Sequence, residues 1–163
     1  MFRAIPMNPG DAAFVAGLLT RETNVAALHL AVRTAEEWTA GLKNTLRDPD
    51  EANFIIDMDG VPAAWLRMNG LCNDKTDKAW ISMLVVHDER KRQGIGSYAV
   101  KFAEEYAVTN GFSALGVHTT ADNIPAQKCY EKLGFERVEE SMGAPDDGIG
   151  RLGYVYHKVL DKI

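Results

Sequence analysis

The stretch that decides the fold is Val86-His87-Asp88-Glu89-Arg90-Lys91-Arg92-Gln93-Gly94-Ile95-Gly96-Ser97. It follows the apolar run Met83-Leu84-Val85-Val86 and precedes a segment where Ala99, Phe102, Ala103, Tyr106 and Ala107 recur at helical spacing. A strand therefore enters a charged, glycine-bearing turn and a helix leaves it. A helix N-terminus carries unpaired N–H donors and roughly half a positive charge. Gly94 and Gly96 remove the Cβ atoms that would hold an anion away, and Arg90, Lys91 and Arg92 stand beside them. That combination is a pyrophosphate seat. Its plainer alternative is a glycine-softened turn with a solvated charge run.

Two common phosphate-binding folds are excluded by context. Gly94-Ile95-Gly96-Ser97-Tyr98-Ala99 fits the G-x-G-x-x-G/A fingerprint, but that fingerprint sits directly after its strand and has an acidic residue about 20 positions on. Here seven residues separate Val86 from Gly94, and position 114 is Ala. A P-loop is excluded because the turn contains no Gly-Lys-Ser/Thr.

Working outward toward the N-terminus, Lys78 to Val86 reads as a strand whose apolar end predicts burial on both faces. Before it, Phe54–Met58 and Val61–Met68 form a hairpin around Asp59-Gly60, the dipeptide of a type I′ turn. Thr34-Ala35-Glu36-Glu37 is a capping box that opens a helix running to about Leu46, ahead of Pro49. Asp11 is expected to cap a helix over Phe14, Val15, Leu18 and Leu19, and residues 2–6 read as a short edge strand.

Toward the C-terminus, the helix after the glycine turn ends near Asn110-Gly111, and a strand follows at Ala114 to His118. Asn123 caps a helix with Pro125 in its first turn and Gly134 after its last. Phe135 to Glu139 and Leu152 to Val159 are strands around a loop at Gly143 to Gly150. The pattern predicts a mixed sheet made of an antiparallel meander, one βαβ crossover and a terminal pair. No repeat or linker interrupts it, so residues 1–163 are read as one domain.

From about Trp80 to Glu139 the chain resembles the acetyl-CoA-dependent GCN5-related N-acetyltransferase (GNAT) superfamily. Three segments in register carry the resemblance: Leu84-Val85-Val86, Lys91-Arg92-Gln93-Gly94-Ile95-Gly96, and Asn123 through Ala126, Tyr130 and Gly134-Phe135. Lys91 departs from the pattern, standing where Arg or Gln is usual. The resemblance implies an α+β fold of three-layer α/β/α type. Its mixed, mainly antiparallel sheet would contain a splayed strand pair and carry flanking helices. It also implies that acetyl-CoA, with no metal, lies along Leu84, Val85 and Val86 as a pseudo-strand. Lys91, Arg92, Gln93, Gly94, Ile95, Gly96 and Ser97 would hold its pyrophosphate, and Asn123 would touch the pantetheine end.

Acetyl transfer from a thioester to an amine needs a neutral amine, a stabilised oxyanion and a proton for the departing sulfur. Tyr130 lies two helical turns beyond Asn123, nearly on the same face. Pattern alone places Tyr130 in an apolar stripe with Ala126, Cys129 and Leu133, and the resemblance makes it the general acid. His118, whose position matches a base in some similar enzymes, has an ordinary pKa near 6.5 suited to deprotonation near neutrality. Strand Trp80–Val86 contains no carboxylate. The oxyanion would fall to a backbone N–H of Leu84–Val86.

Composition limits the partners. The 163 residues suffice to bury a core, since a chain near 150 residues hides roughly 70% of its unfolded surface. Eighteen Lys+Arg against 23 Asp+Glu leave a net charge of −5, against a nucleic-acid partner. No apolar run approaches membrane-spanning length, and Met1–Pro6 lacks the long apolar region of a signal peptide, so neither a membrane span nor a signal peptide is expected. Cys72 and Cys129 form neither a zinc nor a disulfide pattern, so two buried or semi-buried thiols in a reducing, cytoplasmic compartment are expected. A homodimer is left open. Residues 34–60 hold seven acids and two bases, and 135–147 five acids and one base. This distribution predicts an acidic acceptor side that favours a cationic small amine or peptide amine, with Trp38, Trp65, Trp80 and Met68 as candidate lining. A non-catalytic CoA-binding sensor or scaffold of the same fold is the alternative.

Overall fold

Asp59 and Gly60 adopt φ of 53° and 83°, the left-handed pair of a two-residue type I′ turn. They join β2 (Ala52–Met58) to β3 (Val61–Asn69), and β4 (Lys78–Val86) completes the meander. The structure, a computed structural model, describes residues 1–72, 76–143 and 145–161. β1 (Phe2–Pro6), β5 (Ala114–Thr120), β6 (Glu136–Gly143) and β7 (Arg151–Val159) extend the sheet to seven strands in the order β1-β2-β3-β4-β5-β7-β6. Every neighbouring pair is antiparallel except β4 and β5. A parallel pair needs a crossover, which α4 (Ile95–Thr109) supplies.

The sheet separates two cores. Phe54, Ile56, Ala64, Leu66 and Met68 point to the face covered by α4 and by Tyr130 of α5 (Ile124–Lys132). Ile55 and Trp65 point to the opposite face, where α1 (Ala12–Leu19), Leu42 of α3 (Ala35–Thr45) and Leu30 pack. That is the period-two alternation expected of a sheet covered on both sides. β4 interrupts it. Arg67 pairs with Met83 and Met68 pairs with Ile81, which leaves Ser82 as the extra residue of a β-bulge. Side-chain parity therefore changes along β4: Ala79 and Ile81 join the α4 core, and after Ser82 it is Leu84 and Val86 that do so.

The β4–β5 pairing stops after Ile81 and Val117. Beyond that point β4 keeps only β3, through Val86 opposite Ala64, and β5 keeps only β7, through Thr120 opposite Gly153. The two strands splay and leave an open wedge in the middle of the sheet. This corrects the expected double-sided burial of Met83–Val86: Val85 is buried, but Met83, Leu84 and Val86 are half-buried because they border the wedge.

Local signals elsewhere need smaller corrections. Thr34 Oγ1 accepts from Glu37 N at 3.1 Å and starts α3, but the Glu37 side chain returns no bond to Thr34 N among the described residues, so only half of the expected capping box forms. Asp11 makes no side-chain cap on α1. Asn8 caps a preceding 3-10 turn, Pro9–Asp11, and Asp11 Oδ2 accepts from Asn8 N. A further helix, α2 (Glu22–Leu28), lies between α1 and α3 and has no strong cap in the sequence to announce it. β5 and β6 run on to Thr120 and Gly143, past the expected His118 and Glu139. Cys129 is half-buried as expected, whereas Cys72 is exposed in the turn after β3, its Sγ donating to Pro49 O.

Candidate active site

The loop between β4 and α4 is built to leave backbone donors free. Arg92 (φ 66°) and Gly94 (φ 85°) both take left-handed conformations, and Gly94 caps α4 without any side-chain hydrogen bond. The first N–H groups of α4 therefore have no capping acceptor. Gly96 lies in the first turn, and a Cβ built there would meet no atom within 4 Å. Packing therefore does not require glycine at Gly96, and the backbone there is open to approach. The cations divide. Lys91 Nζ is drawn to Asp88 (3.2 Å) and Asn24 (3.4 Å), which ties the loop to α2. Arg90 and Arg92 form no ion pair among the described residues.

The wedge between β4 and β5 opens into a cleft of about 740 Å³. Its walls bring together Leu84 of β4, His118 of β5, and Asn123 and Tyr130 at α5. The expected loop residues 91–97 do not line it. They lie past the end of β4, so a ligand reaching both must run along the free edge of that strand.

Asn123 Oδ1 accepts from Ala126 N at 3.3 Å, the cap that starts α5. Tyr130 is buried against Phe135 and Tyr156, and no described residue hydrogen-bonds its hydroxyl. Burial, with a smaller contribution from neighbouring Cys129, pushes its phenol well above the ordinary value, so the hydroxyl keeps its proton. His118 Nε2 sits 3.1 Å from Ser141 Oγ, and partial burial holds the ring below its ordinary 6.5. The ring fits a slot left by Gly153 and Gly143; a Cβ at Gly153 would collide with His118 Nε2 and lie 2.9 Å from Thr119 O.

The other half of the cleft lies under α2, α3 and the β6–β7 loop. Asp146 accepts from Ala31 N and from Arg33, both at 2.7 Å, and Asp147 N donates to His29 O. These bonds clasp residues 29–33 to the β6–β7 loop. Trp38 and Trp65 line this half as expected. Met68 belongs to the α4 core, and Trp80 packs beside Gly116 with Lys78 over its ring. The expected acidic acceptor wall is absent among the described residues. Of the acids at 34–60 and 135–147, only Glu37 and Asp146 line the cleft, and Arg33 and Arg67 offset them. The other acids lie on the first turn of α3, in the turn after it, on β2 and its turn and on the outer strand β6, and Asp147 in the β6–β7 loop pairs with Arg151 at 2.8 Å. No motif singles out Arg67, although a lone charge within Ala64-Trp65-Leu66-Arg67-Met68 is a readable anomaly.

Residues 14–135 match the Acetyltransferase (GNAT) family. The chain belongs to that family. GCN5-related N-acetyltransferase 4, chloroplastic, of Arabidopsis thaliana is 30% identical over 90 residues, which are 55% of this chain and 31% of that protein. The chain thus spans about a third of that relative's length. Among solved structures, an acetyltransferase from Thermus thermophilus superposes with TM-score 0.79 at 20% identity, covering 98% of this chain and 97% of that one. Spermidine N-acetyltransferase from Vibrio cholerae, in complex with CoA and spermine, superposes with TM-score 0.84 at 14% identity, covering 99% and 96%. At these identities the superpositions establish the GNAT fold, with its mostly antiparallel open sheet. Among the described residues no helix is long and apolar enough to cross a membrane.

Proposed function

We propose that this GNAT protein is an acetyl-CoA-dependent N-acetyltransferase that moves the acetyl group directly to a primary amine in a ternary complex. The observation that carries the proposal is the wedge beyond Ile81 and Val117, which leaves one strand edge of β4 free beside Leu84, His118, Asn123 and Tyr130. The free N–H and C=O groups of Ser82–Val86 suit an extended pantetheine arm, and the uncapped α4 terminus with open space at Gly96 suits its pyrophosphate.

The amine nitrogen attacks the thioester carbon, forming the C–N bond. His118 takes the proton the nitrogen loses, directly or through one water, and its lowered affinity for protons keeps it neutral and ready near pH 7. A main-chain N–H of Leu84–Val86 faces the oxyanion and needs no reorganisation to do so. The C–S bond then breaks. Tyr130 hydrogen-bonds the departing sulfur and passes it a proton only as the phenol oxygen receives one from protonated His118 or solvent, so that no buried phenolate forms. Because burial makes the phenol less acidic than a thiol, the hydroxyl stabilises the thiolate as it leaves and does not protonate it in advance.

Tyr130→Phe is expected to slow thiol release about 10²-fold or more, within the range of general acids, at nearly unchanged CoA affinity. An unaltered rate removes Tyr130 from the mechanism. The absence of any carboxylate on β4 favours a second reading, a CoA-binding domain without transfer. It predicts tight CoA binding with thiol release no faster than background for every amine.

A further inference from the structure

Arg67 occupies a position that apolar neighbours surround. Leu66 and Met68 are fully buried, and Trp65 beneath its guanidinium is 1% exposed and anchored by Nε1 to Asn53 Oδ1 at 3.0 Å. A cation at such a place needs acceptors or a counter-charge. Arg67 Nε donates to Ser82 Oγ at 3.1 Å, and Ser82 Oγ donates to the Arg67 carbonyl at 3.1 Å. The bulge residue therefore fixes the guanidinium in place. Its two outer nitrogens have no hydrogen-bond acceptor among the described residues, and no described carboxylate oxygen lies within the 4.0 Å of an ion pair. Glu51 is near enough to feel the Arg67 charge, which opposes the upward push of burial on that carboxyl's pKa, but its oxygens lie outside ion-pair distance of the guanidinium.

The other cleft arginine is already neutralised. Arg33 bonds Asp146 at 2.7 Å and lies 4.4 Å over Trp38. Once that pair cancels, the charges left lining the cleft are Arg67 and the exposed Glu37, one of each sign. The same wall leaves the buried Trp38 Nε1 without an acceptor. A polyamine would meet an immobilised cation that forms no ion pair among the described residues; an amine that also bears an anion would supply one.

We infer that the acceptor carries a carboxylate as well as its amine, and that Arg67 binds that carboxylate through its outer nitrogens. An amino acid or a short peptide with a free C-terminus has this chemistry. The fork of Arg67 would take the carboxylate in two parallel bonds, leaving the amine directed toward His118 and the β4 edge. The inference rests on the transferase reading above and deepens it.

The test compares matched amines in a thiol-release assay with acetyl-CoA: lysine, lysine amide and cadaverine; β-alanine and β-alaninamide; and dipeptides with free or amidated C-termini. The free acids are expected to exceed their amides and decarboxylated partners in kcat/KM by about tenfold or more, the order of one charge-assisted contact, chiefly through KM. Dipeptides and free amino acids separate the two sources of the carboxylate. In Arg67→Gln the ratio within each pair is expected to fall to near one, and Arg67→Lys to retain part of it. A ratio also cancels any general loss of folded enzyme. Amides or decarboxylated amines that work as well as the acids overturn the inference, as does a preference that survives Arg67→Gln unchanged. If no amine of the panel raises thiol release above the amine-free background, the transferase reading itself fails and takes this inference with it.

Discussion

Replacing Gly96 with alanine is expected to stabilise the protein and to weaken its hold on acetyl-CoA, two effects of opposite sign from one methyl group. Gly96 is the second residue of α4, its φ is ordinary, and a Cβ there meets no atom within 4 Å. Nothing in the folded chain resists the methyl. Removing glycine's excess backbone freedom from a helix contributes about 0.5–1 kcal/mol. For a chain of this size that corresponds to a rise in Tm of about 1–4 °C.

The cofactor sees the same methyl as an obstruction, because a phosphate must approach the uncapped N–H groups closely to bond them. Loss of one hydrogen bond to a charged group is worth about 1.5–3 kcal/mol, or a roughly 10- to 150-fold rise in Kd. Thermal unfolding and calorimetric titration with CoA measure the two effects independently. Gly17→Ala is the control: that glycine is exposed in α1, also with nothing within 4 Å of its Cβ, and far in sequence from the seat. It should gain comparable stability and bind CoA normally. An unchanged Kd in Gly96→Ala refutes the argument that open space at this position is the pyrophosphate seat.

Two further predictions concern His118. Burial lowers its pKa, so the ring takes up the inactivating proton only below its ordinary 6.5; the acid limb of kcat/KM should bend below that value and disappear in His118→Gln, with the plateau about 10²–10⁴-fold lower. A profile identical in the variant would remove His118 as the base. Gly153→Ala should displace the ring without touching it chemically, because the new Cβ collides with Nε2 and crowds Thr119 O at 2.9 Å. Overpacking of this kind destabilises by about 1–3 kcal/mol, and kcat should fall alongside; Gly150→Ala, with nothing within 4 Å, should do neither. Full activity in Gly153→Ala would show that the ring's position does not matter.

The chain's own order of residues determined most of the local structure. Asp59-Gly60 could only turn back as a hairpin of the primed type because both residues accept positive φ. Thr34, Asn123 and Gly111 mark helix boundaries with their own side chains or lack of one, and the β4–loop–α4 unit carried both the fold and the GNAT resemblance. These signals act within a few residues, so they survive without knowledge of the rest. Tertiary structure decided what depends on partners far along the chain. The β4–β5 pairing ends where Ser82 bulges against Arg67, and that slip, invisible in an apolar run, turned an expected buried strand into a cleft edge. Contacts likewise assigned the charges. Lys91 is spent on Asp88 and Asn24, Asp146 on Arg33 and Ala31, and Arg67 is left without an ion pair among the described residues. A net charge is a sum over residues, whereas a site responds only to the charges that the fold leaves unpaired inside it, and pairing is a property of distance in space.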